Sequence, residues 1–80
     1  MKYTKYFEFT KQRQDRMDIK EDWIAKAFYN PIFGEIQDDG RIRRWAKIPE
    51  AGDKYLRIVI LEDNETIHNA FFDRSFKEKL

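Results

Sequence analysis

The spacing of apolar residues changes near the middle of the chain, where a helical repeat gives way to the alternation typical of strands. Before that point, aromatic side chains fall at Tyr3, Phe7 and Phe9, with Lys5 between them. This period of two predicts a first strand. Residues 10–17 are polar and predict a short first helix with a thin apolar face.

A second helix has clear signals at both ends. Asp18 and Glu21 have the spacing of a capping box, in which each side chain accepts a hydrogen bond from a backbone N–H at the helix start. Apolar residues then recur at the spacing of one buried stripe: Trp23, Ile24, Ala27 and Phe28. Asn30 and Pro31 end the predicted helix, because proline disfavours α conformation in the residue before it.

Beyond Pro31 the pattern predicts four strands joined by turns. The predicted strands are residues 33–37, 41–48, 54–62 and 66–72. The predicted turns are Asp38-Asp39-Gly40 with a positive φ at Gly40, residues 49–53 around Gly52, and Asp63-Asn64. Residues 75–80 predict a polar, helical tail. We expect residues 1–80 to form one α+β domain, with an N-terminal strand and two helices packed on an antiparallel meander sheet.

Alternation along the strands assigns side chains to the two faces of this sheet. The face covered by helices should hold Ile36, Ile42, Ala46, Leu56, Ile58, Ile60, Ile67 and Phe71. The opposite face should hold Glu35, Arg41, Arg43, Trp45, Lys47, Tyr55, Arg57, Val59, His68, Ala70 and Phe72, with Trp45 opposite Arg57 and Lys47 opposite Tyr55. Arg44 falls on the covered face, which places it at an edge or indicates an error of register.

Composition excludes several classes of site. The chain has no cysteine and one histidine, so a structural zinc site is not expected, and the absence of cysteine favours a reducing compartment, the cytoplasm. Neither a membrane-spanning run nor a signal-like segment is apparent, and we expect no membrane partner, metal or cofactor. A net charge of +1 means that nucleic-acid binding would depend on local charge.

The uncovered face supplies such a local pattern. Arg41, Arg43 and Lys47 can neutralise phosphates, while Trp45 and Tyr55 offer rings on which unpaired bases stack. The simpler alternative is a solvated sheet face on which arginine stems cover the aromatic rings and pair with carboxylates.

His68 is the one side chain whose ordinary pKa lies near neutrality, which makes it the candidate general acid or base. A cation at Arg57 would lower its pKa and favour a neutral ring that can accept the 2′-OH proton of RNA. The alternative is an ordinary half-buried histidine on a strand.

Short segments along most of the chain carry a family resemblance: Phe7-Glu8-Phe9, Arg16 with Ile19, Asn30-Pro31, Asp39-Gly40-Arg41, the run 55–60 and Arg74. With these segments the chain resembles the small bacterial BrnT-like proteins of the RelE toxin superfamily. The resemblance implies a ribonuclease that a cognate antitoxin neutralises. It also implies phosphate-binding roles for Arg57 and Arg74. The chain departs from the family where Arg16-Met17-Asp18 replaces a Lys-His-Gly between the helices, which puts activity in doubt more than fold.

Two hypotheses follow. In the first, the chain is a toxin-like endoribonuclease or RNA-binding domain of a toxin–antitoxin system, with His68, Arg57 and Arg74 as catalytic residues. In the second, it is a non-catalytic interaction domain whose aromatic face binds a protein or a second copy of the chain.

Overall fold

Four strands and the second helix form in the segments where the hydrophobic pattern predicts them. The computed structural model describes residues 1–13 and 18–77. Its elements are β1 (Lys2–Tyr3), α1 (Lys5–Thr10), α2 (Glu21–Tyr29), β2 (Phe33–Ile36), β3 (Ile42–Ile48), a short 3₁₀ helix (Pro49–Ala51), β4 (Lys54–Ile60) and β5 (Thr66–Phe72). The fold is therefore α+β, as expected.

The five strands form one sheet in the order β1-β5-β4-β3-β2. Strands β2 to β5 are antiparallel to their chain neighbours, whereas β1 pairs in parallel with β5. The sheet is thus mixed, because β1 joins it in parallel. The predicted antiparallel meander comprised the four strands after the helices, and no partner was predicted for the N-terminal strand. The two helices lie between β1 and β2 in the sequence, and all the later strands separate β1 from β2 in the sheet.

The prediction of a strand over residues 3–9 is wrong, because the chain turns into α1 at Lys5. Thr4 begins this helix, and its Oγ1 accepts a hydrogen bond from the Phe7 amide at 3.0 Å. Phe7 is buried while Phe9 is 73% exposed, so the two aromatic residues do not share a face as a strand would require. Of the helix predicted over residues 10–17, only Thr10 is helical, and residues 14–17 lie outside the described residues.

Helix α2 packs on the sheet through the predicted stripe. Ile24 and Ala27 are buried, and Trp23 and Phe28 pack partly buried against the same core. The helix ends at Asn30, whose amide bonds to the Lys26 carbonyl at 2.8 Å. The predicted capping box is wrong: Lys20 is the N-terminal cap, and its side chain makes no capping bond within the described part of the chain.

The core lies between the helices and one face of the sheet. Five residues predicted for this face are buried: Ala46, Leu56, Ile58, Ile60 and Ile67. Ile42 is partly buried against them. Ile36 is one exception, since it is 74% exposed on the edge strand β2.

The face assignment at the end of β5 is wrong by one residue. Phe71 lies opposite Arg57, and Ala70 lies opposite Ile58, but Ile60 pairs with Ile67. This shift in register is a bulge, and one extra residue moves the following side chains to the other face. Ala70 and Phe72 therefore pack with the core beneath the helices, and Phe71 lies on the opposite face with Arg57.

Arg44 is on the helix-covered face, as its register indicates, and its position has a structural reason. Its guanidinium donates a hydrogen bond to the Phe28 carbonyl at 2.7 Å and lies 5.3 Å from the Phe28 ring centroid. A cation that bonds a carbonyl in the last turn of α2 offsets the negative end of the helix. Arg44 therefore joins α2 to β3 without an error of register.

The predicted turns form. Gly40 adopts φ of 88° and its amide bonds to the Gln37 carbonyl at 2.9 Å. Asn64 adopts φ of 64° in the turn before β5, and Gly52 adopts φ of 78° after the 3₁₀ helix. Residues 75–77 are not helical, and residues 78–80 of the predicted helical tail lie outside the described residues.

Candidate nucleic-acid interface

Strands β3 and β4 place the predicted side chains together on the face away from the helices. Trp45 lies opposite Arg57, and Lys47 lies opposite Tyr55, so the predicted register of these strands is confirmed. Arg43 lies one pair further along the same face. We call this side of the sheet the second face.

Trp45 does not lie open on the second face. It is 4% exposed, because Phe76 from the segment after β5 stacks on it with ring centroids 4.9 Å apart. Phe76 also contacts Tyr55 at 5.1 Å, and Phe33 lies 5.5 Å from Trp45. Trp45 thus forms the floor of an aromatic cluster, and Phe76 and Tyr55 are the half-buried rings above it.

Asp73 turns the chain back over the second face. Its Oδ1 accepts hydrogen bonds from the Ser75 amide at 3.0 Å and the Ser75 hydroxyl at 2.7 Å, which closes a tight turn. Its Oδ2 accepts from the Trp45 indole N–H at 3.0 Å. Burial alone would raise the pKa of Asp73, but the hydrogen bonds from Trp45 and Ser75 and the charge of Arg57 outweigh it and hold the pKa below its ordinary value.

Arg57 lies at the centre of the second face. Its guanidinium is 5.0 Å from the Phe71 ring centroid and 5.7 Å from that of Trp45, and it pairs with Asp73 at 3.7 Å. Burial and the charge of Arg43 lower the pKa of Arg57, although an arginine stays protonated at neutral pH. Its Nε is buried without a hydrogen-bond partner among the described residues. The carboxylates of Asp73 and Glu35 pair with these two arginines and partly offset their like charges.

The other predicted cations lie around this centre. Arg43 pairs with Glu35 at 3.2 Å, and Arg41 pairs with Asp39 at 3.8 Å. Lys47 is exposed. Ion pairs between exposed groups contribute only about 0–1 kcal/mol, so a phosphate can replace either carboxylate at little cost.

His68 lies on β5 against the N-terminal segment. Its Nδ1 is 3.1 Å from Thr4 Oγ1, and its ring stacks on Tyr6 with centroids 4.8 Å apart. Burial lowers its pKa, and Arg41 lowers it further. The direction agrees with the prediction, but the responsible cation is Arg41 and not Arg57.

The three predicted catalytic residues lie apart from one another: His68 is in β5, Arg57 is in β4, and Arg74 follows β5. Arg57 lies opposite Phe71, three residues beyond His68, which is about 10 Å at the strand rise of about 3.3 Å per residue. Arg74 lies a further three residues on, in an exposed turn beside a cleft next to Trp23. Their catalytic roles stay predictions.

Phe76 and Asp73 contribute to this surface although the sequence pattern did not indicate them. Both lie beyond the last predicted strand, and Phe76 falls in residues 75–80, for which the sequence predicted a polar, helical tail. The available signal was an aspartate two residues before a serine, which is typical of a turn, followed by a lone aromatic residue.

Within residues 1–13 and 18–77, no three or more histidine and acidic side chains are grouped so that they could hold a metal ion. Neither of the two described helices is long and apolar enough to cross a membrane. Comparison of the chain with family models, curated proteins and solved structures found no match. The resemblance to BrnT-like toxins therefore stays a prediction from the sequence.

Proposed function

We propose that this chain is a toxin-like RNA-binding domain that holds single-stranded RNA on its second face. The observation that carries the proposal is the pair of like charges at Arg43 and Arg57 beside a cluster of aromatic rings. An RNA phosphate near both guanidinium groups would relieve their repulsion. Asp73 and Glu35 already screen the two charges in part, and a phosphate would add to that screening.

Toward the edge of the second face, a bound phosphate would replace carboxylates that are only weakly paired with arginines. Arg43 and Arg41 are half-exposed and hold Glu35 and Asp39 in weak surface pairs. A phosphate offers a stronger, two-oxygen acceptor to the same guanidinium groups. Arg57 differs, because Asp73 holds it in place and a phosphate would add to that contact.

Stacking in this proposal keeps the predicted ring of Tyr55 but uses Phe76 in place of Trp45. Tyr55 and Phe76 are half-buried at the surface, with centroids 5.1 Å apart, while Trp45 supports them from below. Stacking of an unpaired base on such a ring contributes about 1–3 kcal/mol. Lys47, opposite Tyr55, supplies a cation for the adjacent phosphate.

RNA cleavage is the second candidate, and the environment of His68 favours it. A lowered pKa keeps the ring neutral at pH 7, and Arg41 is near enough to contribute to that shift. Thr4 Oγ1 can either donate to Nδ1 or accept from Nδ1–H. Only the second arrangement leaves the Nε2 lone pair free to take the 2′-OH proton, so the base role requires the Nδ1–H tautomer. Imidazole nitrogen chemical shifts measured by NMR distinguish the two tautomers.

Salt-dependent binding of single-stranded RNA tests the main proposal. Removing one cation that neutralises a phosphate should reduce the slope of log K against log salt by about 0.7. We expect Arg43→Ala and Lys47→Ala each to reduce the slope, measured by fluorescence anisotropy of a labelled oligonucleotide. Lys5→Ala, an exposed cation on α1, is the matched control and should leave the slope unchanged.

Arg57→Ala is a poor first test, because it also removes the partner of Asp73 and the cation between two rings. Failure of the folded wild-type protein to bind RNA at low salt would contradict the proposal. The non-catalytic interaction domain would then be the better account. Its natural surface is the exposed edge strand β2, where Phe33 and Ile36 are 41% and 74% exposed.

A further inference from the structure

A second concave site lies at the end of the sheet near the start of α2. Its volume is about 600 Å³, within the range of small-molecule sites, which is about 300–1,000 Å³. The cleft is lined by Asp18, Trp23, Ala51, Lys54, Phe72 and Arg74, among others. Nothing in the RNA-binding proposal uses this cleft, and Arg74 is the one residue of the predicted catalytic set that lines it.

The wall of the cleft is aromatic. Trp23 and Phe72 meet edge to face, with ring centroids 6.0 Å apart at an interplanar angle of 60°. Both rings are half-buried, so each keeps an accessible part. A flat ring of a ligand can stack on one of these two rings and meet the other edge to face.

The rim of the cleft is charged. The Lys54 ammonium lies 5.5 Å from the Phe72 ring centroid, and Arg74 is exposed beside it. Asp18 contributes a carboxylate to the same lining. Two cations suit a phosphate, while one carboxylate accepts hydrogen bonds from hydroxyl or amino groups and disfavours a purely anionic ligand.

We propose that this cleft binds one nucleoside monophosphate unit. The base stacks on Trp23 and meets Phe72 at its edge, the phosphate contacts Lys54 and Arg74, and Asp18 accepts from a ribose hydroxyl or a base amino group. A planar ring and a phosphate on one ligand match the two halves of the lining. The unit can be a free mononucleotide or the terminal nucleotide of an RNA strand.

Tryptophan fluorescence tests the proposal, because the two tryptophans differ in exposure. Trp45 is 4% exposed beneath Phe76, whereas Trp23 is half-exposed in the cleft. AMP and UMP should therefore quench Trp23 in a saturable titration, and Trp23→Phe should abolish the signal. A short single-stranded oligonucleotide with a terminal phosphate is the second probe, and quenching by it alone would assign the site to RNA ends.

Variants of the rim separate specific binding from non-specific quenching. Lys54→Ala and Arg74→Ala change exposed residues and should each weaken binding of the nucleotide about tenfold. Adenosine, which lacks the phosphate, should bind at least about tenfold more weakly than AMP. Lys5→Ala, the matched exposed cation on α1, should stay within about twofold of wild type.

Absence of saturable quenching by both probes would overturn the inference, as would equal affinity in wild type and both rim variants. The result does not depend on RNA binding by the second face. The fluorescence signal comes from Trp23 in the cleft, and a mononucleotide has no series of phosphates that could lie along the second face. If RNA binds but neither the mononucleotides nor the oligonucleotide with a terminal phosphate quench Trp23, this inference alone is contradicted. If the nucleotides quench Trp23 but RNA binding does not depend on salt, only the proposed function is contradicted.

Discussion

The two faces of the sheet are covered in different ways. On one face, α1 and α2 bury a continuous apolar layer that includes Ile58 and Ile60, both fully buried. On the second face, a few residues after β5 fold back and bring Phe76 onto Trp45 and Asp73 onto Arg57. The first cover is apolar and built from regular elements, whereas the second is aromatic, charged and part-exposed. Because only a short segment covers the second face, side chains around that segment remain partly exposed and accessible to a ligand.

The largest expected effect lies on the helix-covered face. Ile58→Ala should lower the free energy of unfolding by about 2–5 kcal/mol, since it removes a buried side chain and leaves a cavity. Urea denaturation measures this, with Ile36→Ala on the exposed edge as the control, expected within about 0.5 kcal/mol of wild type. Equal effects of the two substitutions would contradict the division between a buried and an open layer.

Truncating Phe76, which covers the second face, should reduce stability by less. Phe76→Ala should lower the free energy of unfolding by about 1–2 kcal/mol, because the ring is half-buried, whereas truncating a fully buried phenylalanine costs about 3–5 kcal/mol. It should also expose Trp45, so acrylamide should quench tryptophan fluorescence more strongly than in wild type. Phe9→Ala, which truncates a ring that is 73% exposed, is the control. Unchanged quenching in Phe76→Ala would mean that Phe76 does not cover Trp45 in solution.

The Asp73 turn should make stability depend on acid pH. The folded-state pKa of Asp73 lies below its ordinary value of 3.8, so its contribution is present above about pH 4 and is lost as the pH falls through the folded-state pKa. Asp73→Asn keeps the shape of the side chain but removes its charge. The free energy of unfolding of this variant should therefore change less between about pH 4 and pH 2 than that of the wild type. Thermal denaturation of both proteins across this range measures the difference. If the stability of Asp73→Asn depends on acid pH in the same way as that of the wild type, other carboxylates cause the dependence.

The smallest expected effect concerns His68. Its folded-state pKa lies below 6.5, so protonation disfavours the folded state and the related stability is lost as the pH falls from about 6.5 toward the folded-state pKa. Arg41→Ala should raise the pKa of His68 only part of the way back, because burial is the larger cause. Imidazole proton shifts measured by NMR follow this titration. No change in Arg41→Ala would show that the cation does not act on the ring.

The helix-covered face could be predicted because its signals are regular. The run in β4 is rich in apolar and β-branched residues, its side chains alternate between the two faces opposite an equally long β3, and α2 repeats its apolar residues at helical spacing. The predicted pairing of Trp45 with Arg57 follows from that alternation, since the hairpin gives the strands one consistent register.

The rest depended on contacts between distant residues. Phe7 and Phe9 fit a strand by spacing, and only the Thr4 cap and the burial of Phe7 make the segment helical. The bulge near His68 interrupts a regular alternation, so local pattern does not reveal it. The cover over Trp45 needs a turn at Asp73 and a ring three residues later, and neither belongs to a periodic element.

The most direct test of RNA binding by the second face is NMR mapping with a single-stranded oligonucleotide. We predict that amide signals of Arg43, Lys47, Tyr55 and Phe76 and the indole N–H of Trp45, which donates to Asp73, shift together as RNA is added. Signals of α1 should stay in place. Shifts confined to the β2 edge, or no shifts at low salt, would contradict RNA binding by this face.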